Sequence, residues 1–267
     1  MTSGFVEVAT GIHVLRHPVL DVNVTLIVGD TSALLVDTLT TAGQARELAD
    51  MVAAMTAVPL AVVNTHHHFD HCFGNAAFLD APVYAHPEAI DRIRTTDPAD
   101  VWREWSRTHP GLSGVLDTDI RVPDRPVVHE TALDLGGRTA VLRHPGRGHT
   151  AGDLIVHVPD AALVVAGDLV EESGPPQFDD AYPLEWPDAL AAILALEPAT
   201  VVPGHGAVCG PSFVSGQHAE LAALAWLIRD GHADEVPADE VVRKAPYEFE
   251  TAAVAVARGY AELDGTS

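Results

Sequence analysis

The most constraining feature of this chain is a cluster of histidines and an aspartate directly after a short apolar stretch at residues 60–63. The cluster comprises His66, His67, His68, Asp70 and His71. In extended backbone, residues two apart point to the same side, so His66, His68 and Asp70 can converge while His67 points away. His71 reaches the same place only if the chain turns there, and the Phe-Gly-Asn sequence that follows Cys72 is typical of such a turn. The spacing therefore predicts ligands for two adjacent metal ions.

Three further residues of the same chemistry lie beside glycines later in the chain, namely His149, Asp168 and His205. Each is expected at the end of a strand, where neighbouring glycines let the backbone approach an ion closely. Imidazole nitrogens and carboxylate oxygens without thiolate are typical of catalytic zinc, manganese or iron sites. The candidate metal ligands are therefore His66, His68, Asp70, His71, His149, Asp168 and His205.

The hydrophobic pattern predicts an α/β fold. Short strands broken by turns are expected between residues 5 and 37, and apolar residues recur at helical spacing over residues 42–57. Residues 87–107 are predicted to be helical, and residues 109–126, rich in Gly, Pro and Asp, to form a long loop. The C-terminal region is expected to be mostly helical.

We interpret residues 1–267 as a single domain. It would carry an insertion at about residues 87–126 and a helical C-terminal segment at residues 212–264. Trp102, Trp105, Tyr182 and Trp186 fall in the insertion and in the loop after Asp168, where packing in the core and contact with a substrate are both open.

Charge and cysteine content exclude several classes of partner. The formal net charge of −23 would repel a phosphate backbone or an anionic membrane surface. Two cysteines, Cys72 and Cys209, cannot form the disulfide framework of a small secreted domain. Because no signal-peptide pattern or long apolar run is visible either, we expect a cytoplasmic protein without nucleic-acid or membrane partners.

The motifs from Asp37 to His205 resemble those of the metallo-β-lactamase-fold hydrolase superfamily. That resemblance implies a four-layer αββα sandwich with a metal pair at one edge. It also implies that His66, His68 and His149 hold the first metal and that Asp70, His71 and His205 hold the second. Asp168 would bridge the two metals, and Asp37 would steady the ligand loop without binding a metal.

The resemblance does not identify a single subfamily. An aspartate at the place of Asp168 is similar to the glyoxalase II-like thioesterases and lactonases, and it argues against a dedicated β-lactamase. The basic C-terminal segment by which glyoxalase II grips glutathione is not found here. Lactonases of this fold often have a tyrosine three residues after the bridging aspartate, and this chain has Glu171 there.

The resemblance and the ligand set together imply a binuclear hydrolase. Two divalent ions, zinc first with manganese or iron as alternatives, would lower the pKa of a shared water to about 7 and give a hydroxide nucleophile. The hydroxide would attack an ester, thioester, lactone or related acyl bond of a small molecule, and Asp70 would orient it and relay a proton. The small positive charge of such a site would attract an anionic or electron-rich carbonyl substrate.

Alternatives to this function remain. One is a mononuclear iron oxidoreductase of the persulfide dioxygenase type, another is β-lactamase activity as a side reaction, and a third is a catalytically idle metal-binding protein. The presence of Asp70, His71 and His205 favours two metals. A homodimer is compatible with the sequence.

We predict that two groups of polar residues have a structural role and do not bind metal. His67 is expected to lie in the loop or behind the ligands because of its parity. The acidic pairs Glu171-Glu172 and Asp179-Asp180 are expected to form a solvated face.

Overall fold

The computed structural model describes residues 4–266, so Met1 to Ser3 and Ser267 of the predicted domain lie outside the described residues. The strands are β1 Val6–Ala9, β2 Ile12–Arg16, β3 Asn23–Val28, β4 Ala33–Val36, β5 Leu60–Val63, β6 Val83–Ala85, β7 Arg125–Pro126, β8 Glu130–Asp134, β9 Thr139–Arg143, β10 Ile155–Val158, β11 Leu163–Glu171 and β12 Thr200–His205. The helices are α1 Ala42–Met55, α2 Phe69–Cys72, α3 Pro87–Thr95, α4 Pro98–Trp105, α5 Trp186–Leu194, α6 Pro211–Ala233, α7 Ala238–Val242 and α8 Phe249–Leu263.

The strands form two sheets. The first has seven strands in chain order, β1 to β7, antiparallel as far as β4 and parallel from β4 onwards. The second has five strands in the order β12-β11-β10-β9-β8, with only the β11–β12 pair parallel. Parallel neighbours bring the carboxyl ends of β4 and β5, and of β11 and β12, to a common edge in each sheet.

Three hydrophobic clusters separate four layers. Between the sheets, Ile27, Leu34 and Val36 of the first sheet pack with Leu142 and Val156 of the second. On the outer face of the first sheet, Leu48 and Val52 of α1 pack against strand residues. On the outer face of the second, helices α5 to α8 form a further cluster around the fully buried Trp186. The expected α/β class and αββα sandwich are thus confirmed.

Helix α1 begins close to its predicted position because its first turn is capped. The Thr41 hydroxyl accepts a hydrogen bond from the Gln44 N–H, and the Gln44 side chain accepts one from the Thr41 N–H. This reciprocal pair satisfies two N–H groups that the helix leaves without carbonyl partners. The helix ends at Met55, just before the Pro59 turn.

The segment 87–126 is more structured than predicted. Instead of one helix over 87–107, the chain forms α3 and α4, because Asp97 caps a new helix whose first residue is Pro98. Residues 109–126 are not a plain loop, since a 3-10 helix spans Pro110–Asp117. None of the helices within residues 4–266 is both long and apolar enough to span a membrane.

Strand β11 runs without interruption from Leu163 to Glu171. Asp168 therefore lies inside a strand and not at its end. The pairing of β11 with β12 shifts register on both sides of Gly167, whose φ is +56°. Such an irregularity turns the strand locally and aims Asp168 out of the regular ladder.

Candidate metal centre

The seven candidate ligands come from five separate segments that meet at one edge of the sandwich. His66 and His68 follow β5, and Asp70 and His71 lie in the short helix α2. The other three come from the second sheet or its loops, with His149 between β9 and β10, Asp168 in β11 and His205 at the end of β12. His149 lies six residues beyond Arg143, so it is on a loop and not at a strand end as expected.

The first group of ligand atoms belongs to His66, His68, His149 and Asp168, one atom of each lying within 4.8 Å of all the others. His149 Nε2 lies 2.9 Å from His68 Nδ1 and 3.5 Å from Asp168 Oδ2. His66 Nε2 lies 3.7 Å from the same carboxylate oxygen. Three ring nitrogens and one carboxylate thus point at a common volume.

The second group belongs to Asp70, His71 and His205, again within 4.8 Å of one another. His205 Nε2 lies 3.4 Å from Asp70 Oδ2 and 3.3 Å from His71 Nε2. Asp168 is shared between the groups, because Oδ1 lies 3.2 Å from His71 Nε2 and Oδ2 lies 3.2 Å from His205 Nε2. The structure therefore brings all seven residues together and places Asp168 between two clusters.

The donor set fits divalent metal ions. Among the described residues, the buried atoms His66 Nε2 and Asp168 Oδ1 have no hydrogen-bond partner. Two further pairs of ring nitrogens, His68–His149 and His71–His205, face each other nitrogen to nitrogen. Buried polar atoms are normally satisfied, so ring nitrogens that converge on one another and on a shared carboxylate form the arrangement that a cation would complete.

The outer nitrogens of these rings are held by specific acceptors. His71 Nδ1 lies 2.8 Å from Asp37 Oδ2, and His205 Nδ1 lies 2.7 Å from the Leu20 carbonyl oxygen. Both acceptors require the outer nitrogen to carry the proton, which leaves Nε2 free as a lone pair. In their neutral form the rings are thus held in the tautomer that a metal needs.

Asp37 steadies the ligand loop through a second contact as well. Its Oδ1 accepts a hydrogen bond from the Thr65 N–H, and Oδ2 accepts one from the Thr65 hydroxyl. The residue has a φ of +66°, a costly conformation for an aspartate that the surrounding contacts maintain. Burial raises the pKa of Asp37, and the nearby His71 and Thr65 oppose that rise.

Asp180 is a site residue that sequence reasoning missed. Its Oδ1 lies 3.0 Å from His68 Nε2, and its Oδ2 lies 3.1 Å from His67 Nε2. Burial opposes ionisation of Asp180, but hydrogen bonds from His67 and His68 outweigh it and hold its pKa below the ordinary value. The prediction that Asp179 and Asp180 form a solvated face is therefore wrong for Asp180, because its carboxylate contacts the two histidines.

Glu171 also departs from that expectation. Its side chain is buried, and its Oε1 lies 3.6 Å from His149 Nδ1 and accepts a hydrogen bond from the Gln177 N–H. Burial, followed by the charge of Asp168, raises the pKa of Glu171 to about 8. The family resemblance singled out the position of Glu171, but not its burial, which follows from the length of β11.

The loop that carries His149 is braced by a buried carboxylate. Asp153 accepts hydrogen bonds from the Thr150 N–H and hydroxyl, the latter at 2.6 Å. These contacts fold the loop back on itself next to His149. The Gly-His-Thr-Ala-Gly-Asp sequence already contained this signal, because a Thr and an Asp three residues apart are typical of a tight turn.

Burial and neighbouring charges shift the pKa values of the ligand histidines in opposite directions. Burial is the main cause where the pKa falls. It lowers the pKa of His149 to about 3 and that of His66 well below its ordinary value. His205 behaves oppositely: burial lowers its pKa, but the charge of Asp168, the hydrogen bond to that carboxylate and the charge of Asp70 together outweigh burial and raise the pKa to about 10. The rings of His66 and His149 are therefore neutral at pH 7, the form that binds a metal.

A cleft of about 500 Å³ lies over the two groups. Asp70, Asp168, His149 and His205 line its floor, while Trp105 of α4 lies on its wall. Trp105 packs edge-on against Phe69, with ring centroids 5.4 Å apart. Of the four aromatic residues whose role was left open, Trp105 lies at the cleft and Trp186 in the core. Trp102 packs against the cluster around Phe69, and Tyr182 lies against the Arg147 guanidinium.

The fold and the site together define a protein of the αββα sandwich class with a metal-ligand cluster at the edge of its two sheets. Residues 17–205 match the family model of the metallo-beta-lactamase superfamily, and the chain belongs to this superfamily. The match ends at His205 and so includes every candidate metal ligand.

Curated relatives match at low identity. The chain is 30% identical over 139 residues to a hydroxyacylglutathione hydrolase from Erythrobacter litoralis, a match covering 52% of this chain and 45% of the relative. It is 25% identical over 147 residues to a beta-lactamase-like protein 2 homolog from Drosophila melanogaster, covering 55% and 44% respectively. The chain thus matches less than half the length of either relative.

Solved structures support the fold. A metallo-beta-lactamase from Pontibacter korlensis superposes with a TM-score of 0.64 at 21% identity, covering 82% of this chain and 98% of that one. A stereoselective inverting sec-alkylsulfatase from Pseudomonas sp. superposes with a TM-score of 0.77 at 15% identity, covering 99% of this chain and 51% of that one.

Proposed function

We propose that this protein is a binuclear metal-dependent hydrolase that cleaves an ester, thioester, lactone or related acyl bond of a small molecule. The observation that carries the proposal is the pair of ligand groups that share Asp168. The name of the Erythrobacter relative, a hydroxyacylglutathione hydrolase, describes hydrolysis of an acylated substrate and supports the same reaction class.

His66, His68 and His149 would hold one divalent ion, and Asp70, His71 and His205 the other, with Asp168 between them. Bound ions, zinc in the first instance, would supply Lewis acidity toward a carbonyl and would lower the pKa of a water. A dedicated thiol or hydroxyl nucleophile is not needed for this chemistry.

The residues of the chain contribute orientation and proton transfer. Asp70 lines the cleft and lies 3.4 Å from His205 Nε2, so its carboxylate is placed to accept a proton from an attacking water and pass it to a leaving group. Asp37 and Asp180 keep His71 and His68 in the ligating tautomer.

The mononuclear iron oxidoreductase alternative uses fewer of these residues. It gives no role to the convergence of Asp70, His71 and His205, which lie within 4.8 Å of one another. A catalytically idle metal-binding protein gives no role to the cleft above them. The cytoplasmic location and the lack of nucleic-acid partners stay predictions from charge and cysteine content.

A substrate panel tests the proposed reaction. Purified protein is assayed with nitrophenyl esters, lactones, thioesters and a chromogenic β-lactam, before and after chelation. We expect turnover of at least one acyl class, lost on chelation and restored by zinc. Asp70→Asn should lower kcat by about 10²- to 10⁴-fold, the usual range for a lost general base.

The exposed Asp80→Asn variant is the matched control, since it makes the same chemical change outside the cleft lining. It should retain wild-type turnover. Equal turnover in Asp70→Asn and Asp80→Asn, or consumption of oxygen with a thiol substrate and no hydrolysis, would contradict the proposal.

A further inference from the structure

The walls of the cleft carry carboxylates in addition to Asp70 and Asp168 on its floor. Above the candidate ligands, Glu104, Asp179 and Asp180 face the cleft, and no lysine or arginine is among its lining residues in the described part of the chain. Asp180 is bonded to His67 and His68, whereas Glu104 and Asp179 are exposed and make no ion pair or side-chain hydrogen bond within residues 4–266. Two carboxylates are therefore free to meet a ligand.

An aromatic side chain, Trp105, lines the same cleft as these carboxylates. Trp105 directly follows Glu104 at the end of α4, and both line the cleft with the apolar side chains of Phe69 and Val101. An indole ring and a carboxylate that line one cleft can together attract an alkylammonium group, through the ring quadrupole and through charge. An anionic group would find only repulsion there.

The field of the whole molecule acts in the same direction. The net charge of −23 lowers the local concentration of anions around the cleft, apart from the attraction of metal ions at its floor. Arg92 influences His67 by its charge, but it is not a lining residue. The charges of the walls therefore disfavour the anionic substrates that a positively charged metal site, taken alone, is expected to attract.

We infer that this cleft selects acyl substrates that carry a cationic, ammonium-type group away from the scissile carbonyl, and that it discriminates against anionic substrates. The inference rests on the proposed function for the position of the carbonyl. Glu104 is its main specificity-determining residue, with Trp105 as the apolar and aromatic surface beside it.

Binding and hydrolysis are measured separately, so that the two proposals fail separately. Three hexanoyl-type anilides, which resist cleavage, differ only in the terminal group: trimethylammonio, its carbon isostere tert-butyl, and carboxylate. Their dissociation constants for the zinc-loaded protein of 267 residues are measured by calorimetry at low and moderate salt. The matching nitrophenyl esters report hydrolysis.

We expect the trimethylammonio ligand to bind most tightly and the carboxylate ligand most weakly. Glu104→Gln should reduce the preference for the cation over its carbon isostere by about two- to fivefold, the range for one exposed charge pair. Added salt should reduce the preference in the wild type. Glu250→Gln makes the same change on α8, outside the cleft lining, and should leave the preference unchanged.

A carboxylate ligand that binds as tightly as the cation, a cation that does not bind, or a preference equal in Glu104→Gln and wild type would overturn the inference. Charge-ordered binding of the anilides without hydrolysis of any ester would leave the inference standing and count against the hydrolase.

Discussion

At the residue scale, the centre depends on what holds the outer nitrogen of each histidine. His71 is held by a carboxylate at 2.8 Å, His205 by a carbonyl oxygen at 2.7 Å, and His68 by Asp180 at 3.0 Å. Each acceptor fixes one ring orientation and one tautomer, so the ligand atoms are arranged before an ion arrives. Asp180 supports His68 from the loop between β11 and α5.

Removing that support should weaken the metal site. In Asp180→Ala, His68 loses the acceptor that keeps its proton on Nε2, so Nδ1 is no longer reserved as a lone pair. We expect the affinity for the first metal to fall by about 10- to 100-fold, the usual effect of losing such a supporting contact. Competition with a chromogenic chelator measures the change.

Asp179→Ala provides the control, because Asp179 is the neighbouring carboxylate and contacts no candidate ligand in the part of the chain described. It should retain wild-type metal affinity. If both variants bind metal as tightly as the wild type, Asp180 has no positioning role.

The candidate ligands were predictable from sequence, whereas their supports were only partly so. Candidate ligands such as His66, His68 and His71 lie close together in the sequence and are residues of a type that binds metals. Both properties can be read directly from the sequence. Asp180 lies 112 residues from His68, and only the folded chain brings them together. Asp37 was anticipated through the family resemblance and not through spacing.

At the scale of single elements, glycines decide how closely the strands of the second sheet approach the centre. A Cβ on Gly204 in β12 would lie 1.7 Å from Asp168 Oδ1 in β11. Because β11 and β12 are adjacent parallel strands, neither can move away without breaking their ladder. The glycine thus makes room for the shared carboxylate.

Gly204→Ala should therefore displace Asp168. We expect a loss of about 1–3 kcal/mol in the free energy of unfolding, as for overpacking elsewhere, together with reduced metal content. Gly216→Ala in α6 is the matched control, since no atom lies within 4 Å of its added Cβ, and it should be neutral or slightly stabilising. Denaturant unfolding and elemental analysis report both effects, and full metal content in Gly204→Ala would refute this account of the strand pair.

The start of α3 carries a histidine that is held in its neutral form. His86 Nδ1 accepts a hydrogen bond from the Glu88 N–H, and the ring stacks on His144 with centroids 4.3 Å apart. Burial, followed by the charge of His144, lowers the pKa of His86 to about 4. Between that value and the unfolded value of about 6.5, the unfolded chain binds more protons, so stability falls as pH falls through this range.

Because of His86, we expect the free energy of unfolding to be about 1 kcal/mol lower at pH 5 than at pH 7, after allowance for solvent screening. His86→Asn keeps a capping acceptor and removes the titrating ring, so its stability should fall less over the same interval. Urea unfolding at the two pH values tests this, and an equal fall in both proteins would exclude His86 as the source.

Whether a segment forms a helix or a strand was more predictable from the sequence than the residues at which it begins and ends. The strands at 33–36 and 60–63 and the start of α1 follow directly from apolar periodicity and the Thr41 cap. The extension of β11 to Glu171 was not predictable, because its polar residues are buried by a metal-ligand cluster and not by apolar neighbours. Similarly, the break between α3 and α4 depends on a local cap that outweighs continuous helical spacing.

At the scale of the whole molecule, the sandwich brings residues from distant segments to one edge. His66 and His71 come from the first sheet's side, and Asp168 and His205 from the second sheet. The cluster between the sheets, with Leu34 and Val156 fully buried, fixes their separation. The site therefore exists only in the folded chain, so metal binding there would be coupled to folding.

The measurement that tests the central claim most directly is the number and kind of metal ions per chain. We predict two divalent ions in the wild type, with zinc dominant, and a loss of one ion in His205→Ala while the first group keeps its own. Inductively coupled plasma mass spectrometry on purified protein provides both numbers. A single iron per chain, unaffected by His205→Ala, would contradict the binuclear site and the hydrolase built on it.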